Sequence, residues 1–289
     1  MLSTLRAVAA AGYRIAIAAP PEGDMAARLS EEGIQTLPLR FVAEDGTRLS
    51  QAERREVLAD LIRHDRPDLV HANSLAMSRL LGPVAAESGT PSVGHLRDII
   101  NLSAKAIDDL NQNRRLLAVS RATRDHHVAR GLDPERTQVL YNGVDLARFE
   151  PREPTGYLHR ELGISTDRPL IVNIGQICLR KAQNLIVEVA GNLIGREADA
   201  NYPPPHFLLI GGRQGDKDET RQLEASLHEA ALTGPTAGRI HMLGTRVDVD
   251  RILSETAILL HTARQEPLGR VLLESSAAGI AIVATNVGG

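Results

Sequence analysis

Short apolar runs and amphipathic segments take turns along almost the whole chain, and this alternation limits the fold more than any single residue does. YRIAIAA (13–19), DLVHAN (68–73), PSVGH (91–95), LLAVS (116–120) and TQVLY (137–141) read as strands in the first half, and IQTLPL (34–39) as one that Pro38 confines to an edge or an end. PLIVNIG (169–175), HFLLIG (206–211), RIHML (239–243), AILLH (257–261) and AIVAT (281–285) follow in the second half. Helical patterns fill the gaps. DMAARLSEEG (24–33) has Asp24 as its cap and Gly33 as its stop. Ser50 and Glu53 have capping-box spacing before a helix to about His64. Another helix carries Gly82-Pro83, and another spans 121–131. Later ones begin near Ala182, Lys217, Val247 and Gly269. Strands alternating with helices predict parallel sheets covered on both faces.

The rhythm breaks once, over 142–169, where Pro151, Pro154 and Pro169 fall. The expected architecture is therefore two doubly wound, Rossmann-like α/β domains, 1–145 and 169–289, joined by a connection over 146–168. The first residues read as an amphipathic helix, whereas a doubly wound domain usually opens with a strand. The last, Asn286-Val287-Gly288-Gly289, read as the start of a further loop. The expectation is a piece of a longer protein, incomplete at both termini, with low stability and little activity by itself.

Composition narrows the function. A net charge of −3 gives no basis for capturing nucleic acid. One cysteine, Cys178, allows no internal disulfide, so a reducing cytoplasm is expected. No run of about 18 apolar residues offers a membrane span. Aromatic residues make up 2% of the chain and Trp is absent, which makes ring stacking a poor binding device.

EPLGRVLLE (266–274) is the stretch with most chemistry in it. Pro267 suits a first helical turn and Gly269 permits close backbone approach. A helix is thus expected to begin between Leu268 and Arg270, with Glu266 just outside it and Glu274 about one turn inside. A helix start presents unpaired N–H groups to anions. A carboxylate can accept from two neighbouring hydroxyls. Hydroxyl acceptors flanking a phosphate cradle fit a nucleotide diphosphate sugar.

EPLGRVLLESSAAGIAIVATNVGG resembles the Glu-x₇-Glu region of retaining GT-B glycosyltransferases of family 4, the group 1 type. The positions that carry the likeness are Glu266, Gly269, Glu274, Ala278, Gly279, Gly288 and Gly289. The stretches 66–74, 118–151 (with Asn142-Gly143-Val144-Asp145) and 172–190 resemble other parts of the same family, so the likeness covers nearly the whole chain. It implies an amino-terminal acceptor-side domain and a carboxy-terminal nucleotide-sugar domain. It also implies a donor diphosphate held by the loop GQICLRKA, with Gly175, Gln176, Arg180 and Lys181 against it. Lys181 matches the family lysine, whereas Gln176 stands where the family has arginine; Arg180 is the candidate to replace that charge.

On the same resemblance Glu266 faces the transferred sugar and Glu274 the ribose, with Leu268, Gly269 and Arg270 lining the donor. Glu266, Lys181 and His95 are the expected catalytic residues. The role of the family's histidine falls to His95 or Arg97, and the residues leave both open. His71 is expected inside a strand, and His126-His127 on the surface. Gly211-Gly212 fits either a donor-lining loop or a strand-end turn. No Asp-x-Asp pair accompanies the phosphate loop, so neither a metal nor a cofactor is expected beyond the donor itself. The acceptor would be a glycan, a lipid or a small molecule; peripheral association with the inner membrane face stays open. The alternatives are a non-catalytic nucleotide-sugar-binding module of the same fold and, behind it, a glycoside hydrolase using the two glutamates.

Overall fold

The computed structural model describes residues 2–43, 45–196 and 203–289. In chain order the elements are α1 (Leu2–Ala10), β1 (Ala16–Ala19), α2 (Asp24–Glu31), β2 (Gln35–Pro38), α3 (Gln51–Asp65), β3 (Val70–Ala72), α4 (Leu75–Ser88), β4 (Ser92–Leu96), α5 (Ala104–Asn111), β5 (Arg115–Ala118), α6 (Arg121–Val128) and β6 (Thr137–Val139). After them come α7 (Tyr157–Leu162), β7 (Leu170–Ile174), α8 (Asn184–Ile194), β8 (His206–Ile210), α9 (Asp218–Leu232), β9 (Ile240–Gly244), α10 (Val249–Ser254), β10 (Ile258–His261), α11 (Arg270–Ala277) and β11 (Ala281–Ala284). The chain divides into two compact units. One comprises residues 1–96, 101–117 and 128–138; the other comprises 97–100, 118–127 and 139–289.

The second unit holds a five-stranded sheet in the order β11-β10-β7-β8-β9, its recorded strand pairs all parallel. Period-two alternation splits its strands between two cores. Ile171, Phe207 and Leu209 turn to one face and meet Ile186 of α8 and Leu223 and Leu227 of α9. Leu170, Val172, Leu208 and Ile210 turn to the other and meet Leu158 of α7 and Ile252 of α10. Burial on both faces is why PLIVNIG and HFLLIG are apolar without interruption.

The first unit departs from the expected single sheet. Among the described residues its strands form a four-stranded sheet, β3-β4-β5-β6, and a separate parallel pair, β1-β2. Helices α3 and α4 pack around Leu58, Ile62, Leu80, Leu81 and Val84. The capping box forms as spaced: the Glu53 N–H donates to Ser50 Oγ at 3.2 Å and the Ser50 N–H to Glu53 Oε2 at 2.7 Å. The helix read over 24–33 begins at Asp24 with Gly23 in the cap position, so Asp24 is not its cap.

Two helices arise where the sequence reading has none. Helix α5 starts at Ala104 and is capped by Ser103, whose hydroxyl accepts the Ala106 N–H at 3.3 Å. Helix α7 lies inside the expected connection, and its Leu158 is fully buried. It forms there because tertiary contacts, not local pattern, anchor its first turn: the carboxylate of Glu255 accepts the Gly156 N–H at 2.8 Å. Among the described residues no helix is long and apolar enough to cross a membrane.

Candidate functional site

The site is built at the carboxyl ends of β7 and β10. Beyond β7 the chain does not run straight into a helix. It passes Gly175 and Gln176, turns through a 3₁₀ segment at Leu179–Lys181, and reverses at Ala182, a buried non-glycine residue at φ 50°. Helix α8 begins only at Asn184. Arg180 and Lys181 therefore lie in the 3₁₀ turn, and the helix expected near Ala182 starts two residues later. The cause is Gln183, 1% exposed. Its side-chain amide donates to Gln176 O at 2.8 Å and accepts from the Cys178 N–H at 3.4 Å, which closes the loop on itself.

Glycine is required at Gly211, at φ 136°, where a Cβ would lie 2.0 Å from Gly175 O. The strand ladder continues through this contact, with Gly175 N–H to Ile210 O at 2.9 Å and Ile177 N–H to Gly212 O at 3.1 Å. The Gly211-Gly212 pair thus holds the base of the basic loop.

The loop between β10 and α11 lies along this basic loop. Thr262 Oγ1 donates to Lys181 O at 2.9 Å, the Arg264 N–H to Arg180 O at 2.8 Å, and the Arg180 guanidinium to Gln265 O at 2.9 Å. At their junction the Lys181 ammonium donates to Glu266 Oε2. His261 Nε2 lies 3.2 Å from the same oxygen, and the Gly269 N–H donates to Oε1 at 3.1 Å. Glu266 is 7% exposed. Burial works to raise its pKa, but hydrogen bonds from His261 and Lys181 and the charge of Lys181 outweigh that and hold the carboxyl at about 2.

The expected residues fall into distinct places. Gly175, Arg180, Lys181, Glu266, Leu268 and Gly269 share the two joined loops; Gln176 contributes its carbonyl to the Gln183 staple. Helix α11 begins at Arg270 with Gly269 at φ 76° in the cap position, and that glycine's N–H is already bound by Glu266. Glu274 stands one turn along and takes a hydrogen bond from Arg270 at 3.0 Å. Past β11 the chain returns to the Glu266 loop. The Gly289 N–H donates to Glu266 O at 3.0 Å, and a Cβ at Gly288 would lie 1.8 Å from that carbonyl.

His95 belongs to the other unit. It is buried near the end of β4, its N–H donates to Ser78 Oγ at 3.0 Å, and its ring stacks on His71 at 5.6 Å. His71 does sit in β3, but exposed. Arg97 falls in the second unit; burial, then the nearby charge of Arg270, lowers its pKa. His127 is buried rather than on the surface, because its Nε2 meets Asp98 O at 2.8 Å.

Three residues of the site escaped sequence reasoning: His261, Thr262 and Gln183. The only available signal was the polar end of AILLH, since a histidine closing an otherwise apolar strand requires a partner once buried.

Two family descriptions match the chain: Glycosyltransferase Family 4 over residues 1–148 and Glycosyl transferases group 1 over 157–289. An alpha-maltose-1-phosphate synthase of Mycolicibacterium smegmatis is 26% identical over 178 residues, which cover 60% of this chain and 44% of that protein. The chain thus spans less than half the length of this curated relative. Anabaena Alr3699/HepE in complex with UDP superposes with a TM-score of 0.76 at 21% identity, covering 96% of this chain and 75% of that one. Its complex with UDP-glucose gives 0.75 at 20% identity, covering 95% and 73%. At these identities the structural likeness establishes the fold, which is GT-B.

Proposed function

We propose, for a chain that belongs to the glycosyltransferases (Family 4 over its first part, group 1 over its second), that it moves a sugar from a nucleotide diphosphate sugar to an acceptor hydroxyl with retention at the anomeric carbon. The observation that carries this reading is the junction of two loops at which Lys181 and Arg180 meet the Glu266 carboxylate. A leaving nucleoside diphosphate gains negative charge as the anomeric C–O bond breaks. A partly buried ammonium and a guanidinium, both held in place before the reaction, stabilise that charge. The acceptor oxygen forms the new bond, and its proton leaves with the diphosphate. In this reading Glu266 accepts a hydroxyl of the transferred sugar and Glu274 the ribose hydroxyls. Gly175, Gln176, Leu268, Gly269 and Arg270 line the donor. Arg180 supplies the charge that Gln176 lacks. The role assigned to His95 or Arg97 acts on the acceptor side.

The two cations meet the charge that a divalent ion would otherwise neutralise, so transfer is expected to survive chelation. A glycoside hydrolase needs one carboxyl with a raised pKa as its acid. Glu266 is pushed the opposite way by His261 and Lys181, so it does not fit the part of that acid.

The test is a thermal-shift panel of UDP-, GDP- and ADP-sugars on the wild-type protein and on Lys181→Ala and Glu274→Gln. One nucleotide sugar is expected to raise the midpoint, much less in Lys181→Ala. No shift with any donor, or an equal shift in Lys181→Ala, overturns the reading. Binding without turnover on any acceptor class would favour the non-catalytic module.

A further inference from the structure

The Glu266 carboxylate has two side-chain donors on one oxygen, and they differ in how far they can move. Lys181 carries its ammonium on a flexible four-carbon stem that runs past Gly175, where a Cβ would lie 3.6 Å from Lys181 Cε. His261 is the last residue of β10, 3% exposed, and its own carbonyl accepts the Thr285 N–H at 3.0 Å beside β11. Its ring cannot follow a ligand; the ammonium can.

A pyrophosphate carries more negative charge than a single carboxylate, so it competes for Lys181. If Lys181 turned to it with nothing else in place, Glu266 would be a buried carboxylate holding one backbone N–H. Such a group is costly, and protonation relieves the cost. A protonated Glu266 would no longer accept two sugar hydroxyls.

We propose that His261 is a positioning residue for Glu266: it anchors Oε2 from the end of β10, so that the carboxylate stays in place when a donor pyrophosphate draws the Lys181 ammonium away. The groups that face this carboxylate are Lys181, His261, the Gly269 N–H, and the Arg180 guanidinium at 3.9 Å from Oε2. The part played by donor arrival rests on the nucleotide-sugar reading above. The coupling of His261 to Glu266 does not, and it can be measured without ligand.

The experiment is an NMR titration of the whole chain carrying ¹³C-labelled glutamate, in wild type, His261→Leu, His261→Gln and His261→Asn. A glutamine amide can place a donor near Nε2; the shorter asparagine cannot reach Glu266, so it removes the contact while keeping a polar side chain. Glu266 is expected to titrate about one pH unit or more higher in His261→Leu and His261→Asn, and within about half a unit of wild type in His261→Gln. An unchanged Glu266 titration in both the leucine and the asparagine variants overturns the proposal, whatever the donor experiments give.

A second arm repeats the measurement in saturating UDP-, GDP- or ADP-glucose, using whichever binds. Donor affinity is expected to fall about tenfold in His261→Leu and to recover in His261→Gln. Equal donor affinity in all variants overturns the role on donor arrival. If wild type binds none of the three while the ligand-free titrations shift as stated, the nucleotide-sugar reading falls and the His261–Glu266 coupling stands.

Discussion

Glu255 and Glu266 flank β10, and both are nearly inaccessible to water, at 6% and 7% exposure. Their partners make them different kinds of residue. Glu255 accepts the Thr155 N–H at 2.7 Å, the Thr155 hydroxyl at 2.7 Å and the Gly156 N–H at 2.8 Å. Two of those donors are backbone, and together they fasten the entry to α7 onto the end of α10. Glu266 is held by a lysine, a histidine and one backbone N–H. Backbone donors cannot leave without unfolding something; side-chain donors can. Burial of a carboxylate is therefore no guide to function until its donors are known. The acid bound by side chains that can be redirected is the one suited to a ligand.

The largest expected effect separates the two by activity. Lys181→Ala should lower sugar transfer about 1,000-fold, near 4 kcal/mol of transition-state stabilisation, read as kcat/KM with the nucleotide sugar found in the donor panel. Glu255→Ala should leave kcat/KM within about threefold of wild type. It should instead cost about 3 kcal/mol of unfolding free energy, because buried donors lose their acceptor. Equal losses of activity in the two variants would break the comparison.

A pH series sharpens it. Glu266 has a folded pKa of about 2, below its ordinary 4.5, so its stabilisation is present above pH 4.5 and is lost as pH falls through about 2. Urea unfolding of wild type should show this loss, up to about 3 kcal/mol, and Glu266→Gln should not. A second histidine pair must be subtracted first. His206 Nδ1 lies 2.9 Å from His241 Nε2. Burial and then the His241 charge push His206 down from 6.5 to about 4. The unfolded chain takes up that proton before the folded one, so His206 removes stability between about pH 6.5 and 4. The Glu266 loss lies mostly below that window.

The smallest effect concerns the outer acid and the open choice at the end of β4. Glu274→Gln should weaken donor binding about tenfold, near 1.4 kcal/mol, because Glu274 already shares its charge with exposed Arg270. His95→Ala and Arg97→Ala should differ: whichever lowers kcat at unchanged donor KM carries the role the resemblance gives to a histidine. Calorimetry and steady-state kinetics measure both.

Much of the second unit was legible because its signals are local. A short, uninterrupted apolar run closed by Gly211-Gly212 marks HFLLIG as a strand buried on both faces, and Pro267-Gly269 places the start of α11 to within a residue or two. The loop between Gly175 and Asn184 was not legible. Its course depends on Gln183, which no local pattern distinguishes from a surface glutamine, and on Ala182 adopting a left-handed backbone that its own side chain disfavours. Helix α7 was missed for a related reason: its anchor, Glu255, is about a hundred residues away along the chain. The separation of β1-β2 from β3–β6 was equally out of reach, since strand patterns state that a segment pairs but not with which partner.

What the amino-acid order settles by itself is the class of fold, its parallel sheets, the family, and the two short stretches that hold the charges. The fold class and the sheets follow from periodicity, which acts over a few residues; the family and the charged stretches follow from the resemblance of 172–190 and 266–289 to that family. Which charges meet was decided only by the folded chain. Lys181 and Glu266 come together because β7 and β10 are neighbours in one sheet, and His261 joins them because that strand ends where the two loops cross. Hydrogen bonds between distant segments have no periodicity, so nothing short of the packed structure could pair them.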